Sequence, residues 1–340
     1  MAMAGSGRSR SARVVSGLAV AGGLTALAYG TAAYVVYDAL SRAPRACWPR
    51  DAANTPASFV VPDGVDDAIA VANRMTGYED VRFPSRDPVM ARGRLAGWWI
   101  PADDPGARAV VLVHGIKSCR REANVLIPAA MLRRAGFSVL VMDLRDHGDS
   151  DGDDGRFAGG SEEYLDVLGA WDWVRSQGVA AERIGLLGVS FGAVTAIIAG
   201  SQEPGVAAVW SDSAPPRTAE AIGLFVASQL RDPTGLSKLL VPGALLLARI
   251  TAGDDLARFD PIDELDAYRG RSVAFVHGEL DPVLPARFAT ELRERAIRAG
   301  ASAPEAWIAP GAGHTEAVYR DPAGYEERLV AFFTAALGAR

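Results

Sequence analysis

The sequence predicts a doubly wound α/β domain: a mostly parallel sheet with helices on both faces, a helical lid inserted late in the chain, and an apolar helix in front of it. Three observations carry that reading. Short aliphatic runs alternate with stretches of helical length from Ala107 onward. A glycine-framed serine stands at the junction of one such run and the helix after it. One long interval, between Trp210 and Ser272, holds helical candidates but no strand.

The first element is the N-terminal segment, residues 1–38. Arg8, Arg10 and Arg13 precede an uncharged stretch from Val14 to Tyr37. At 1.5 Å per residue that stretch would run to about 36 Å, enough for a hydrocarbon core of about 30 Å. Tyr29, Tyr34 and Tyr37 lie toward its far end, where amphipathic rings favour the interface. Basic residues on the near side predict a cytoplasmic N-terminus and the rest of the chain outside the cytoplasm. Two readings compete with it: a signal peptide cleaved after Ala26-Leu27-Ala28, which would leave a secreted protein, and a buried Ala/Gly-rich helix. Residues 39–78 read as a Pro- and Ala-rich linker with a short helix within Pro62–Met75.

The domain proper is expected over 79–340. Strand-like segments at Val81–Phe83 and Arg94–Ile100 open it. Nearly all-apolar runs follow at Ala109–Val113, Ser138–Met142, Arg183–Gly188, Val206–Trp210, Ser272–Val276 and Ala306–Ala309. Strands buried on both faces have this composition, and the intervening helical stretches, such as Glu162–Val174 and Ala286–Ala299, would cover them. An insertion of about 60 residues between two strands, placed at about 214–268, reads as a lid over the carboxyl edge of the sheet. Its candidates are Ala219–Gln229 and Leu236–Ile250, the latter strongly apolar. That run suits helix packing, an acyl-chain pocket or a membrane contact.

Gly188-Val189-Ser190-Phe191-Gly192 lies between a strand and a helix. A serine lifted out of a sheet on a sharp turn needs small residues two positions away on each side, here Gly188 and Gly192. The hydroxyl needs a base, and the base an orienting acid. Among four histidines, His314 follows the last strand and suits the base. Asp281 follows the strand before it and suits the acid, with Glu279 as rival. The order Ser190, Asp281, His314, each after its own strand, is the nucleophile-elbow order. The backbone N–H groups of Phe191 and Ile116 suit an oxyanion hole. His114 and His277, at strand ends, read as structural residues.

Other classes find little support. The net charge is −6 and no Lys/Arg run occurs, so a nucleic-acid partner is not expected. The acidic run Asp149–Asp154 fails the calcium-loop pattern, because Asp154 holds the glycine position and Gly160 the twelfth; it reads as a solvated loop. No metal or organic cofactor is called for. Cys47 and Cys119 are read as two separate thiols, with one bridge between them as the alternative in an oxidising compartment.

With these residues in place, the chain resembles the α/β-hydrolase superfamily over about residues 80–338. Within it, the chain is similar to membrane-anchored Bem46-like and YqkD-like serine hydrolases. The likeness rests on Val113-His114-Gly115, on Asp143-Leu144-Arg145-Asp146-His147-Gly148-Asp149-Ser150-Asp151-Gly152 and on Leu165-Asp166-Val167-Leu168-Gly169-Ala170-Trp171. It rests further on the serine motif, on His277-Gly278-Glu279-Leu280-Asp281 and on Gly313-His314-Thr315-Glu316. Asp146 departs from the family, which usually has glycine there; Asp tolerates left-handed backbone, so a local change is expected. The residues and the resemblance together imply an acyl-enzyme hydrolase; the apolar lid and the N-terminal segment point to a small-molecule or lipid-like ester as its substrate. A peptidase or thioesterase on the same residues, or a non-catalytic binding module at the membrane, is the alternative.

Overall fold

In the computed structural model, the described residues are 7–43, 46–104, 108–253 and 255–338, with side chains from Arg13 onward. The outermost ends of the expected N-terminal segment and of the domain, residues 1–6 and 339–340, and the side chains of Arg8 and Arg10 lie outside them. Helix α1 (Gly7–Ser41) and the short α2 (Asp67–Ala72) precede the sheet. Its strands are β1 (Glu79–Phe83), β2 (Leu95–Ile100), β3 (Ala109–Val113), β4 (Ser138–Met142), β5 (Ile184–Val189), β6 (Ala208–Asp212), β7 (Ser272–Gly278) and β8 (Trp307–Ala309). Between and after them run α3 (Ala123–Arg134), α4 (Glu163–Ser176), α5 (Phe191–Gln202), α6 (Thr218–Gln229), α7 (Val241–Thr251), α8 (Pro261–Glu264), α9 (Arg287–Ala299), α10 (Ala317–Arg320) and α11 (Pro322–Ala336).

One eight-stranded sheet is formed, in the order β1-β2-β4-β3-β5-β6-β7-β8. From β4 to β8 all pairs are parallel, whereas β2 runs antiparallel to both β1 and β4. Every residue of β2 through β6 is buried. Two cores follow. One holds Val111, Leu140, Leu186 and Phe275 against α4, α5 and α9; the other holds Leu112, Val141, Leu187 and Val276 against α3 and α11. Alternate residues of the same strands feed opposite cores, as the period of two requires. The doubly wound sheet is thus the observed fold.

Two features differ from the sequence reading. Cys47 and Cys119, expected as separate thiols, form a disulfide with Cα atoms 5.5 Å apart. Proximity of residues 72 apart in the chain is a product of tertiary folding, which no local pattern reports. The stretch around it, read as linker, is also fastened to the body: Asp51 and Asn54 are buried, and Asn54 donates to the Arg121 carbonyl at 2.9 Å. In the chain-entropy account, closing a loop of 72 residues restrains the unfolded chain by roughly 4 kcal/mol. Replacing both cysteines by serine is therefore expected to lower the thermal midpoint by several degrees, measured by scanning calorimetry.

Helix α1 is long and apolar enough to cross a membrane, and no residue of its most apolar window is buried. Its last turns are different: Ala33 and Tyr37 are buried, and Leu40 is 7% exposed.

Candidate active site

The serine sits where β5 meets α5. Its φ of 53° is left-handed, which L-residues avoid unless the surroundings enforce it. The enforcement is visible at the two glycines. A Cβ on Gly188 would lie 2.1 Å from the Gly192 carbonyl oxygen, and one on Gly192 would lie 2.3 Å from that of Val113. No side chain fits at either position.

The loop after β7 brings Asp281 to the loop after β8, which carries His314. His314 Nδ1 lies 2.6 Å from Asp281 Oδ2, and its Nε2 lies 2.8 Å from Ser190 Oγ. This spacing fits a proton on Nδ1 donated to the carboxylate, leaving Nε2 free to accept from the hydroxyl. Gly278 allows the two loops to close, since a Cβ there would lie 2.1 Å from the Gly313 carbonyl oxygen. Glu279, the rival acid, is exposed and accepts instead from the Gly311 N–H at 2.9 Å.

Asp281 carries more than the sequence suggested. Its Oδ1 accepts from the N–H groups of Val283 and Leu284, at 2.8 and 2.9 Å. His277 Nε2 lies 3.0 Å from its Oδ2 and 2.9 Å from the Leu284 carbonyl, so that nitrogen carries a proton shared between two acceptors. Burial works to raise this carboxyl, but hydrogen bonds from His277 and His314 outweigh it and hold it well below the ordinary carboxylate range. His277, expected as structural filler, is thus the second imidazole on the acid. Its position four residues before Asp281 was the one available signal.

A second network holds the His314 loop. Thr315, at φ 56°, directs its N–H to Ser213 Oγ at 3.2 Å, and Ser213 donates to Asp212 Oδ1 at 2.8 Å. Tyr325 donates to Asp212 Oδ2 at 3.1 Å and accepts from Trp210 Nε1 at the same distance. Asp212 is the last residue of β6 and is fully buried, and burial raises its carboxyl. Its hydrogen bonds go to this network and not to His314.

On the other side of Ser190 is the loop after β3. Gly115 lies against Ser190, so that a Cβ there would stand 3.4 Å from the serine Cβ, in ordinary contact. The Ile116 and Phe191 N–H groups have no acceptor in the protein among the described residues. His114 holds the loop in place: its Nδ1 lies 2.8 Å from the Gly115 carbonyl, and its Nε2 accepts from the Leu144 N–H at 3.1 Å. Burial, aided by His147, pushes its pKa down to about 3, so it stays neutral. Lys117, next to Ile116, donates from Nζ to the Ala39 carbonyl at 2.7 Å and so ties this loop to the end of α1.

The Asp143–Gly152 motif is a scaffold under the site. Arg145 is buried to 1% exposure and pairs with Asp87, Asp166 and Glu162, at 2.6, 2.9 and 3.1 Å. Asp146 adopts φ 60° and its carboxylate accepts from the N–H groups of Asp153 and Gly155. The acidic run, read as a solvated loop, is engaged. Asp149 pairs with Arg120 and Arg121, and Asp151 accepts from the Arg94 N–H. Removing a buried cation while leaving its partners charged costs about 3–5 kcal/mol. Arg145→Met is accordingly expected to lower the denaturation midpoint strongly, read by urea titration, whereas an Asp103→Asn change on an exposed pair leaves it nearly unmoved.

His314 stands between two cavities. One, of about 320 Å³, is lined by apolar groups including Ile116, Phe157, Val194, Ile222, Phe225 and Leu40 of α1. The other, of about 430 Å³, is lined by charged groups including Arg50, Asp63, Glu122, Glu316 and Arg320. The first reaches Ser190 and lies under the inserted helix α6.

Comparison with known proteins gives the same class. Residues 60–241, just over half the chain, match the family described as X-Pro dipeptidyl-peptidase (S15 family). A thiohydrolase, AneE, of Aspergillus aculeatus is 33% identical over 128 residues, which cover 37% of this chain and 38% of that protein. An uncharacterised 31.7 kDa protein of Escherichia coli is 29% identical over 131 residues, 38% of this chain and 44% of its own length. The chain thus matches well under half the length of these curated relatives. Among solved structures, an esterase of Pyrococcus furiosus superposes with TM-score 0.61 at 21% identity, covering 87% of this chain and 100% of that one. The α/β hydrolase GrgF from a Penicillium species gives TM-score 0.58 at 19% identity, covering 77% and 99%. These likenesses concern the fold.

Proposed function

The chain belongs to the X-Pro dipeptidyl-peptidase (S15) family and is a hydrolase of the α/β-hydrolase type, and from that premise we propose that it is a membrane-anchored serine esterase working through an acyl-enzyme. The observation that carries the proposal is the hydrogen-bonded line Asp281–His314–Ser190 at the mouth of an apolar cavity. In the first step Ser190 Oγ attacks the ester carbonyl as His314 Nε2 takes its proton. The tetrahedral oxygen is received by the Ile116 and Phe191 N–H groups, each such donor contributing about 3–4 kcal/mol in the transition state. His314 then protonates the leaving alcohol, water repeats the sequence, and the acid departs. Asp281 holds the imidazole tautomer and stabilises its charged form throughout.

The two cavities support a division of the substrate. An acyl chain suits the apolar side, and a polar alcohol suits the charged side beyond His314, where the leaving group must collect its proton. The same residues would serve a thioester, a reading favoured by the likeness to the fungal thiohydrolase. The anchor is supported by the uncovered apolar length of α1, and the disulfide fits an oxidising compartment outside the cytoplasm. Cleavage after Ala28 would leave the packed end of α1 in place, and the N-terminal residue of the mature protein, read by mass spectrometry, distinguishes the two. The narrower likeness to Bem46-like and YqkD-like hydrolases rests on the sequence motifs.

The test is a series of p-nitrophenyl esters of increasing acyl length. Phe225→Trp, which fills the apolar cavity, is expected to shift the preference toward shorter acyl chains by about tenfold in kcat/KM. A preference unchanged by that substitution would place the acyl group elsewhere.

A further inference from the structure

The end of α1 is bound side by side to the lid. Tyr29 Oη donates to the Leu239 carbonyl at 2.9 Å. A Cβ on Gly243 would come within 2.8 Å of the Tyr29 ring and 2.9 Å of Ala33, so the helices touch there. Farther on, Tyr37 shares a cluster with Ala244 and Ala248. The contacts advance together along both helices, so α1 and α7 run parallel. Below them the junction is locked: Arg156 reaches Ser41 Oγ at 2.6 Å and Asp38 at 3.0 Å, and Lys117 holds the Ala39 carbonyl. A level along α1 is therefore a level along the lid.

That equivalence has a consequence for the bilayer. From Val14 to Ala28, before the lid begins, α1 rises only about 22 Å. A hydrocarbon core of about 30 Å requires about 20 residues, which extends it to about Ala33. Helix tilt lengthens the requirement. The core boundary therefore falls between Tyr29 and Ala33, beside Leu239 and Gly243 of the lid. At that level the lid turns large apolar side chains outward: Leu239 is 65% exposed and Leu236, one turn earlier, 66%. Leu230, at the end of α6, is 58% exposed. The charged residues among them, Arg231 and Lys238, have stems long enough to reach headgroups. Asp232 turns back onto the N–H groups of Thr234, Gly235 and Ser237.

We propose that the lid tip, residues 230–240, is seated in the extracytoplasmic leaflet beside α1, and that the enzyme takes its ester from that leaflet. The inference rests on the reading of α1 as a membrane span. It names the substrate class more narrowly: an ester resident in the bilayer, with its acyl chain entering the cavity that Leu40 of α1 and Ile222 and Phe225 of α6 enclose. An apolar surface of this kind costs free energy in water and gains it at an interface.

The experiment uses the full chain reconstituted in phosphatidylcholine vesicles containing a doxyl-labelled lipid. With Cys47 and Cys119 paired, a single added cysteine carries an environment-sensitive fluorophore. Probes at Val20→Cys and Leu239→Cys are expected to be quenched several-fold more than one at Val89→Cys, which is exposed on the body of the domain. Quenching at 20 without quenching at 239 would overturn the seated lid and leave the anchor intact. No quenching at either would overturn the membrane reading itself. The double variant Leu236→Glu, Leu239→Glu is expected to hydrolyse a vesicle-borne long-chain ester about tenfold more slowly than wild type, with a short water-soluble ester unaffected. Equal rates on the vesicle-borne ester would contradict delivery from the leaflet.

Discussion

Ser190→Ala is expected to lower kcat for ester hydrolysis by about 10⁴-fold or more, with the thermal midpoint nearly unchanged. The magnitude follows from the arrangement. Ser190 Oγ is in hydrogen-bond contact with the imidazole, and on the proposed route such residues act as a unit whose loss removes the covalent path altogether. What remains is the positioning of water by the oxyanion donors and the cavity. Stability should not follow activity, because the elbow is held by glycine contacts and by the Ser190 N–H to the Asp212 carbonyl, at 2.7 Å. Alanine keeps both. A parallel fall in midpoint and rate would mean that the side chain holds the elbow rather than performing the reaction.

Asp281→Asn has the second-largest expected effect, about 10⁴-fold in kcat. The amide can offer its N–H₂ to His314 Nδ1, which turns the imidazole to the tautomer whose Nε2 carries the proton and cannot accept from Ser190. Here the carboxylate also receives His277 and two backbone N–H groups, so the substitution disturbs a buried centre. The pH dependence has a definite sign. A carboxyl whose pKa is depressed on folding adds stability above its unfolded pKa, about 4, and loses it as the pH falls through the folded value. The midpoint difference between wild type and Asp281→Asn should therefore be largest near neutral pH and shrink in acid below about 4. A difference that grew on acidification would contradict the assignment of charge to this residue.

Much of the fold was legible because buried parallel strands announce themselves. Ala109–Val113 and Ser138–Met142 coincide with β3 and β4 to the residue. The runs at 183–188 and 206–210 slid by one or two positions, because the ladder continues past them to Val189 and to the polar Ser211 and Asp212. The antiparallel entry of β2 was not legible, since strand direction depends on which edge a hairpin meets. Gly188 and Gly192 were readable because a steric demand leaves no alternative to glycine. Ser190, Asp281 and His314 were placed by their order after successive strands, and the structure brings them together.

What escaped was long-range. His277 looks like any strand-end histidine until the loop after β7 folds Asp281 back against it. Asp212, Ser213 and Tyr325 come from β6 and α11, far apart in the chain, and no local spacing links them. The Cys47–Cys119 bridge and the entry of Leu40 into the apolar cavity share that cause. Both depend on how the end of α1 lies on the domain, a relation that periodicity does not encode.

The central claim is that Ser190 is an activated nucleophile, and labelling with a fluorophosphonate measures it most directly. The full chain in membranes is treated with the probe, and the modified peptide is identified by mass spectrometry. Stoichiometric labelling on Ser190, abolished in Ser190→Ala and strongly slowed in His314→Ala, is the expected result. A folded protein that takes no label, or takes it on another residue at an undiminished rate in Ser190→Ala, would contradict the assignment and leave the fold as a binding module at the membrane.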